Sequence, residues 1–312
     1  MADVAMPSSS DRSSASHAVG LLLIVGGLLA VTTIFAKAAP RVGWSPIVLL
    51  QWAFLGSAFL QGGLLTFQHI SRRGEQRGSA QTRASNKELA VYLGVAGLLF
   101  ALPSALSFAA APHVGAGFMS LCFAFPLVLT YGFSVLLKLE QVAVLRVLGV
   151  FAGVVGGVLL ATAGQNFAPS AQGWALAALM VPVILAVGNI YRTVKWPQGI
   201  SNLTLSTGMV AVGFCVLWFA TNLWGLPQYP EHLTGAAIGL LVAQSLVFAF
   251  QYVLSFQLQK LAGPVYLSQI GSVAAVLGLG LAYLVFQEVP GLLQMAAVAA
   301  IGIGIFCVSW KR

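Results

Sequence analysis

The sequence has 312 residues, of which 59% are hydrophobic and only 7% are charged, and its formal net charge is +8. A soluble domain usually carries about 25% charged residues, so a water-exposed surface along the whole chain is excluded and the outer surface is expected to face lipid. The positive charge does not indicate a nucleic-acid partner, because Lys and Arg occur in short segments between apolar runs.

The first 17 residues are polar and rich in Ser, and we predict a disordered cytoplasmic tail over 1–17. The rest of the chain is a succession of apolar runs, each close to the roughly 20 residues with which a helix crosses a bilayer. In chain order the predicted spans are 18–36, 46–68, 89–111, 114–137, 142–163, 173–192, 203–225, 234–258, 264–286 and 290–310. The predicted fold class is an all-α integral membrane protein with ten transmembrane helices.

The placement of Lys and Arg predicts the orientation of these spans. With ten spans, both termini and the even-numbered loops lie on one side of the membrane. That side carries all of the 15 Lys and Arg residues except Lys37 and Arg41. Because positively charged loops remain in the cytoplasm, we predict a multi-pass protein of the cell inner membrane with both termini cytoplasmic.

The two halves of the sequence repeat one another. At an offset of 148 residues, Phe118-Met119-Ser120 corresponds to Tyr266-Leu267-Ser268 and Glu140 to Glu288; at an offset of 156, Thr33-Ile34-Phe35 corresponds to Asn189-Ile190-Tyr191 and Gly43 to Gly199. Each half holds five spans, an odd number, so the halves are expected to have opposite orientations. We predict two inverted five-helix repeats, at 18–163 and 173–310, with a solute site near the midplane between them.

The segments around the two matched glutamates resemble a known family. The stretches 126–131, 137–140, 145–149 and 153–156 resemble the end of an EamA-type repeat, which defines the drug/metabolite transporter superfamily. Glu288, followed by 292–294 and 302–304, resembles the same motif a second time. The resemblance implies a transporter of small organic solutes, and export of amino acids or toxic metabolites in particular.

Polar side chains inside the spans mark a candidate solute cavity. Gln244, Gln251 and Ser255 are seven and four residues apart, which places them on one face of a helix. Amides and hydroxyls inside a membrane need partners, so this face is expected to point into the bundle, where it either lines a cavity or packs against other helices. The candidate substrate-binding residues are Ser104, Ser107, Tyr131, Gln244, Phe248, Gln251, Tyr252 and Gln269. This neutral, partly aromatic set favours amino acids or other amphipathic metabolites over multivalent anions, which would require buried Arg or Lys.

No carboxylate lies deep inside a predicted span. Glu140 and Glu288 lie at helix ends, where they either cap the following helix or belong to a gate. Proton-coupled carriers usually hold an intramembrane acid or His as a relay, and none is visible here. The pattern therefore favours facilitated exchange or efflux by alternating access.

Motifs for catalysis, cofactors and metals are missing from the sequence. There is no Gly-x-Ser-x-Gly and no His-Glu-x-x-His motif, and the three cysteines are isolated from one another. We expect no enzyme activity, no catalytic residues, no cofactor and no metal. An uptake carrier for a vitamin or nucleoside-like metabolite is the alternative to an exporter, and an integral membrane enzyme, a channel and a scaffold are remote alternatives.

Small residues recur every four positions in two of the spans. Gly149, Gly153 and Gly157 lie in the fifth, and Ala296, Ala300 and Gly304 lie in the tenth. Small residues at this spacing allow close helix packing, either within the bundle or against a second copy. The predicted partners are thus the lipid bilayer, a small-molecule substrate and a second copy in a homodimer formed through helices 5 and 10.

Overall fold

The computed structural model describes residues 9–71, 85–139, 141–165 and 167–309. Within these ranges the chain forms α-helices and no strand. The helices are α1 Ser9–Ala38, α2 Pro46–Ser71, α3 Asn86–Val114, α4 Ala116–Cys122, α5 Pro126–Leu136, α6 Val144–Gln165, α7 Pro169–Ala178, α8 Val181–Val194, α9 Asn202–Leu223, α10 Gly235–Ser268, α11 Ile270–Phe286 and α12 Leu292–Ser309. A short 3-10 helix, Ala39–Val42, follows α1.

Seven helical segments in the described part of the chain are long and apolar enough to cross a membrane. They are His17–Val42, Pro46–Ile70, Asn86–Val114, Ala116–Leu136, Pro169–Val194, Asn202–Leu223 and Gly235–Ser268. Shorter apolar helices cover Val144–Leu160, Ile270–Phe286 and Leu292–Cys307. The prediction of an all-α chain with the helices of a multi-pass membrane protein is therefore confirmed.

Two of the predicted spans are each built from two helices. The run 114–137 divides into α4 and α5, and the run 173–192 divides into α7 and α8. Pro126 and Pro182 lie in the first turns of α5 and α8, where a missing backbone N–H removes no hydrogen bond. These prolines therefore begin new helices, whereas Pro103 lies inside α3.

Some boundaries differ from those predicted. Helix α1 begins at Ser9, so residues 9–17 of the predicted tail are helical, and residues 1–8 lie outside the described ranges. Helix α10 continues past 258 to Ser268, but Gly263 within it has a non-helical backbone with φ of 81° and ψ of 179°. Pro264 follows, and a residue before proline is disfavoured in the α conformation. The kink at Gly263 thus separates the predicted eighth and ninth runs.

Aromatic side chains fill the centre of the bundle. The Phe54 ring lies 4.8 Å from that of Phe100 and 5.2 Å from that of Phe248, measured between ring centroids. Phe59 and Phe67, in contrast, are 73% and 68% exposed on the outside of α2. Large apolar side chains on the outer surface are what a lipid-facing helix presents.

Helices α6 and α12 approach each other closely through small residues. A Cβ atom added to Gly304 would lie 2.8 Å from the carbonyl oxygen of Gly149 and 3.0 Å from the backbone nitrogen of Gly153. Ala297 is also buried, whereas Ala296 is exposed. Of the predicted small residues, Gly149, Gly153 and Gly304 thus meet within one chain, and the homodimer remains a prediction.

Candidate functional site

A cavity lies inside the helix bundle. Its volume is about 120 Å³, on a scale where one water molecule needs about 10–15 Å³, so it has room for a small organic molecule. Four helices contribute most of its polar and aromatic lining: Thr32 and Thr33 from α1, Ser104, Ser107 and Phe108 from α3, Asn189 and Arg192 from α8, and Phe248, Gln251 and Tyr252 from α10. The cavity therefore takes its polar lining from both halves of the chain.

Five of the predicted site residues line this cavity: Ser104, Ser107, Phe248, Gln251 and Tyr252. The two serine hydroxyls donate to carbonyls of their own helix, Ser104 to Phe100 at 2.8 Å and Ser107 to Pro103 at 2.6 Å. Each hydroxyl oxygen retains lone pairs that can accept a further hydrogen bond. The oxygen of the Gln251 amide accepts a bond of 3.4 Å from the Thr32 hydroxyl.

The other three predicted residues do not line the cavity. The Tyr131 hydroxyl donates to the carbonyl of Gln141 and accepts from the backbone nitrogen of Ala143, at 3.3 and 3.2 Å. These two bonds hold the segment before α6 against α5. Gln244 is fully buried and donates to Thr32 at 3.4 Å, while Gln269 lies at the junction of α10 and α11.

Hydrogen bonds join residues that correspond between the two halves of the sequence. The hydroxyls of Thr33 and Ser120 lie 3.1 Å apart, which links α1 to α4. At the matching positions, the Asn189 amide donates to the Ser268 hydroxyl at 3.0 Å, which links α8 to the end of α10. All four side chains are buried. The same contact thus occurs once in each half, and three of the four residues, Thr33, Asn189 and Ser268, line the cavity.

Arg192 is a charged residue whose position differs from the one predicted. Its position in the sequence predicts a loop charge and a neutral cavity, but its side chain is half-buried in the last turn of α8 and lines the cavity. Its Nη2 donates to Asn189 Oδ1 at 2.6 Å, and the guanidinium lies 5.7 Å from the centroid of the Phe256 ring. A signal was available in the sequence, since Asn189 and Arg192 are three residues apart and share one helical face.

Glu288 lies in the loop after α11 and connects this loop to the last turn of α1 and the first turn of α4. Its carboxylate pairs with Lys37 of α1 and accepts hydrogen bonds from the backbone nitrogens of Ala116 and Gly117, at 3.3 and 2.9 Å. Of the two alternatives predicted for it, a cap on the following helix or part of a gate, the carboxylate is thus found as a cap, but on α4 and not on the helix that follows it. An anion is stabilised there by the unpaired N–H groups and the dipole of the helix. Glu140, the matching residue, lies outside the described residues.

A metal site is not found in the part of the chain that the structure describes. No group of three or more His, Cys, Asp or Glu residues comes together there in a way that could hold an ion. Cys122 is buried, Cys215 is exposed and Cys307 is partly exposed, and all three are free thiols. The polar lining of the cavity consists of hydroxyls, amides and one guanidinium.

Comparison with known proteins yields a likeness of fold. No family model and no curated protein matches the chain. Among solved structures, 28 chains match. One of them, described only as a crystal structure of a protein, is 20% identical with a TM-score of 0.63, over 96% of this chain and 98% of that chain. The likeness extends over nearly the full length of both chains, and at this identity it shows a shared fold alone.

Proposed function

We propose that the chain is a secondary transporter of small organic solutes that works by alternating access in the cell inner membrane. Export or exchange of amino acids or related metabolites is the proposed activity. The observation that carries this proposal is the cavity at the centre of the bundle, lined by polar and aromatic side chains from both halves of the chain. The polar lining consists of hydroxyls, amides and one guanidinium, which can bind a solute by hydrogen bonds.

The proposed architecture has ten spans in two inverted repeats. The seven long segments and the three shorter apolar helices add up to this number. The span with the shortest helix is the ninth, whose helix α11 has 17 residues and a length of about 25 Å. The five residues between Gly263 and the junction of α10 with α11 lengthen this span. Both chain termini then lie in the cytoplasm, on the side where Lys and Arg are concentrated.

Helix packing supports a two-fold relation between the halves. The contact between α1 and α11 corresponds to the contact between α8 and α5. In the same way, the contact between α2 and α10 corresponds to the contact between α9 and α3. The central pairs α2–α9 and α6–α12 join equivalent helices. Backbone conformation repeats as well, because the matched glycines 43 and 199 have φ of 83° and 71°, and glycines 115 and 263 have φ of 91° and 81°.

The contacts of Glu288 supply a gate for the proposed cycle. Lys37 lies one residue after Ala36, which lines the cavity, so the ion pair lies next to one end of the site. Both Lys37 and Arg41 also lie over the Phe286 ring, at 4.8 and 4.5 Å from its centroid. Opening this end, which the charge distribution assigns to the outer side, requires α1, α4 and α11 to separate. The ion pair and the cap on α4 would break together.

Counterflow in proteoliposomes tests the proposal. Vesicles containing the purified chain are loaded with a single unlabelled amino acid or metabolite, and entry of the same labelled compound is followed. A carrier gives entry that saturates with external concentration and is several-fold faster into loaded than into empty vesicles, because both depend on a site that alternates between two sides. Flux that rises linearly without stimulation by internal solute would indicate a channel. No flux for any compound of the panel would refute the proposal.

A further inference from the structure

We infer that Arg192 binds a carboxylate of the transported solute, so that the site takes organic acids and zwitterions with one carboxylate and an apolar body. This inference rests on the proposed function, because it takes the cavity to be the solute site. It replaces the neutral cavity expected from the sequence with one that carries a single positive charge.

The guanidinium of Arg192 is incompletely paired. It has five N–H donors, and among the described residues only Asn189 Oδ1 accepts a close hydrogen bond from it; the Met209 sulfur lies 3.6 Å from Nη1. The Nε atom is buried without a partner. The side chain is half-buried and faces the cavity, so its remaining N–H groups can donate to an anion that enters the cavity.

None of the three glutamates whose side chains the structure describes pairs with Arg192. Glu88 caps the first turn of α3 through Ser85, Glu231 lies exposed in the loop between α9 and α10, and Glu288 pairs with Lys37. The protein therefore supplies the positive charge of the cavity, and the solute supplies the negative one.

The rest of the lining defines the body of the solute. Phe248 and Tyr252 have ring centroids 5.2 Å apart, and the Phe100 ring meets Tyr252 edge-on at 4.5 Å. Ser104 and Ser107 are the nearby hydroxyls on α3. An aromatic or aliphatic group fits against these rings while its carboxylate reaches Arg192. The rings can also receive the ammonium of an amino acid, since cations bind to aromatic faces.

The alternative is that Arg192 only stabilises the fold, and this alternative predicts a different result. A cation in the last turn of a helix is stabilised by the helix dipole, and the bond to Asn189 adds to this. If that were its whole role, replacing Arg192 would change the thermal stability of the protein without changing its preference between charged and neutral ligands. Ligand preference is therefore the quantity to measure.

The test compares matched ligands on the full-length protein in detergent. Binding of phenylacetate, its neutral analogue phenylacetamide and the cation phenethylamine is measured by calorimetry for the wild type, Arg192→Gln, Arg192→Lys and Lys195→Gln. Lys195 is exposed, lies three residues further on and does not line the cavity, so its variant controls for the loss of one positive charge. We expect the wild type and Lys195→Gln to prefer phenylacetate over phenylacetamide by about tenfold or more.

In Arg192→Gln this preference should fall to about threefold or less, and Arg192→Lys should retain part of it. An unchanged preference in Arg192→Gln would overturn the inference, as would a wild type that binds phenylacetamide as tightly as phenylacetate or binds no carboxylate. If Arg192→Gln fails to fold, the wild-type preference and Arg192→Lys decide. Counterflow of neutral solutes would leave the proposed function standing in each of these cases, so the two failures are distinguishable.

Discussion

Gln244 and Gln251 of α10 share a hydrogen-bond partner but differ in their relation to the cavity. Both amides bond to the Thr32 hydroxyl at 3.4 Å, yet only Gln251 lines the cavity. The Oε1 atom of Gln244 is buried without a partner. An unpaired buried acceptor is a cost that an apolar replacement of similar size removes.

We therefore expect different effects from replacing each of them with Leu. Gln251→Leu should weaken solute binding about tenfold, because it removes a polar group from the lining of the proposed solute site. Gln244→Leu should change the free energy of unfolding by no more than about 1 kcal/mol, since hydrogen bonds between membrane helices average well under that, and should leave binding within about twofold. Ligand titration and denaturant unfolding in detergent measure the two quantities; equal losses of binding in both variants would show that the network acts as one unit.

The sequence could predict part of this site and not the rest, for reasons visible in individual residues. Helical spacing places Phe248, Gln251 and Tyr252 near one another on α10, and spacing of this kind is preserved wherever the helix forms. Gln269 lies at the junction of α10 and α11, where backbone geometry rather than spacing decides direction. Tyr131 lies in the middle of α5, but its hydroxyl bonds to the segment before α6 instead of reaching the cavity. Arg192 was missed because a cation near the end of a span usually reaches water, whereas α8 directs this one inward.

At the level of helix pairs, two glycines of α12 have contrasting surroundings. Gly304 is buried against the backbone of α6, and Gly302 is exposed with no atom within 4 Å of an added Cβ. We predict that Gly304→Ala destabilises the protein by about 1–3 kcal/mol, because the two backbones must separate. Gly302→Ala should have no effect or add up to about 1 kcal/mol, since Ala forms helices more readily than Gly.

Thermal or denaturant unfolding of the two variants measures this difference. Equal stability of Gly302→Ala and Gly304→Ala would contradict the close approach of α6 and α12. Sequence spacing predicted close packing of both helices, within the bundle or against a second copy, and among the side chains described on α12 the buried positions are Ala297, Ile301 and Gly304. The predicted face is rotated by about one residue, because steps of three and of four both return to nearly the same side of a helix.

For the whole molecule, the distribution of Lys and Arg predicts which loops are accessible from outside the cell. In a variant without the three native cysteines, Glu231→Cys should react with a membrane-impermeant maleimide added to intact cells, and Lys195→Cys should not. Both positions are exposed, so both should react once the membrane is permeabilised. The reverse pattern would invert the proposed orientation, and labelling of both in intact cells would contradict the span count.

Hydropathy predicted the positions of the helices across the molecule, because each apolar run must be buried in lipid or in the bundle. It could not predict the division of two runs into α4 with α5 and α7 with α8, nor the continuation of α10 through Gly263. Helix breaks of this kind depend on which neighbouring backbone or side chain satisfies the freed polar groups. That information resides in tertiary contacts such as those of Glu288.

The cap on α4 has a consequence for biosynthesis. Helix α4 has no side-chain cap of its own at Gly115, and the carboxylate that bonds Gly117 comes from a residue 171 positions later in the chain. A ribosome makes the chain from its N-terminus, so the first half leaves the ribosome before Glu288 exists. The start of α4 therefore remains uncapped until nearly the whole chain has been translated, and final docking of the first half awaits the second.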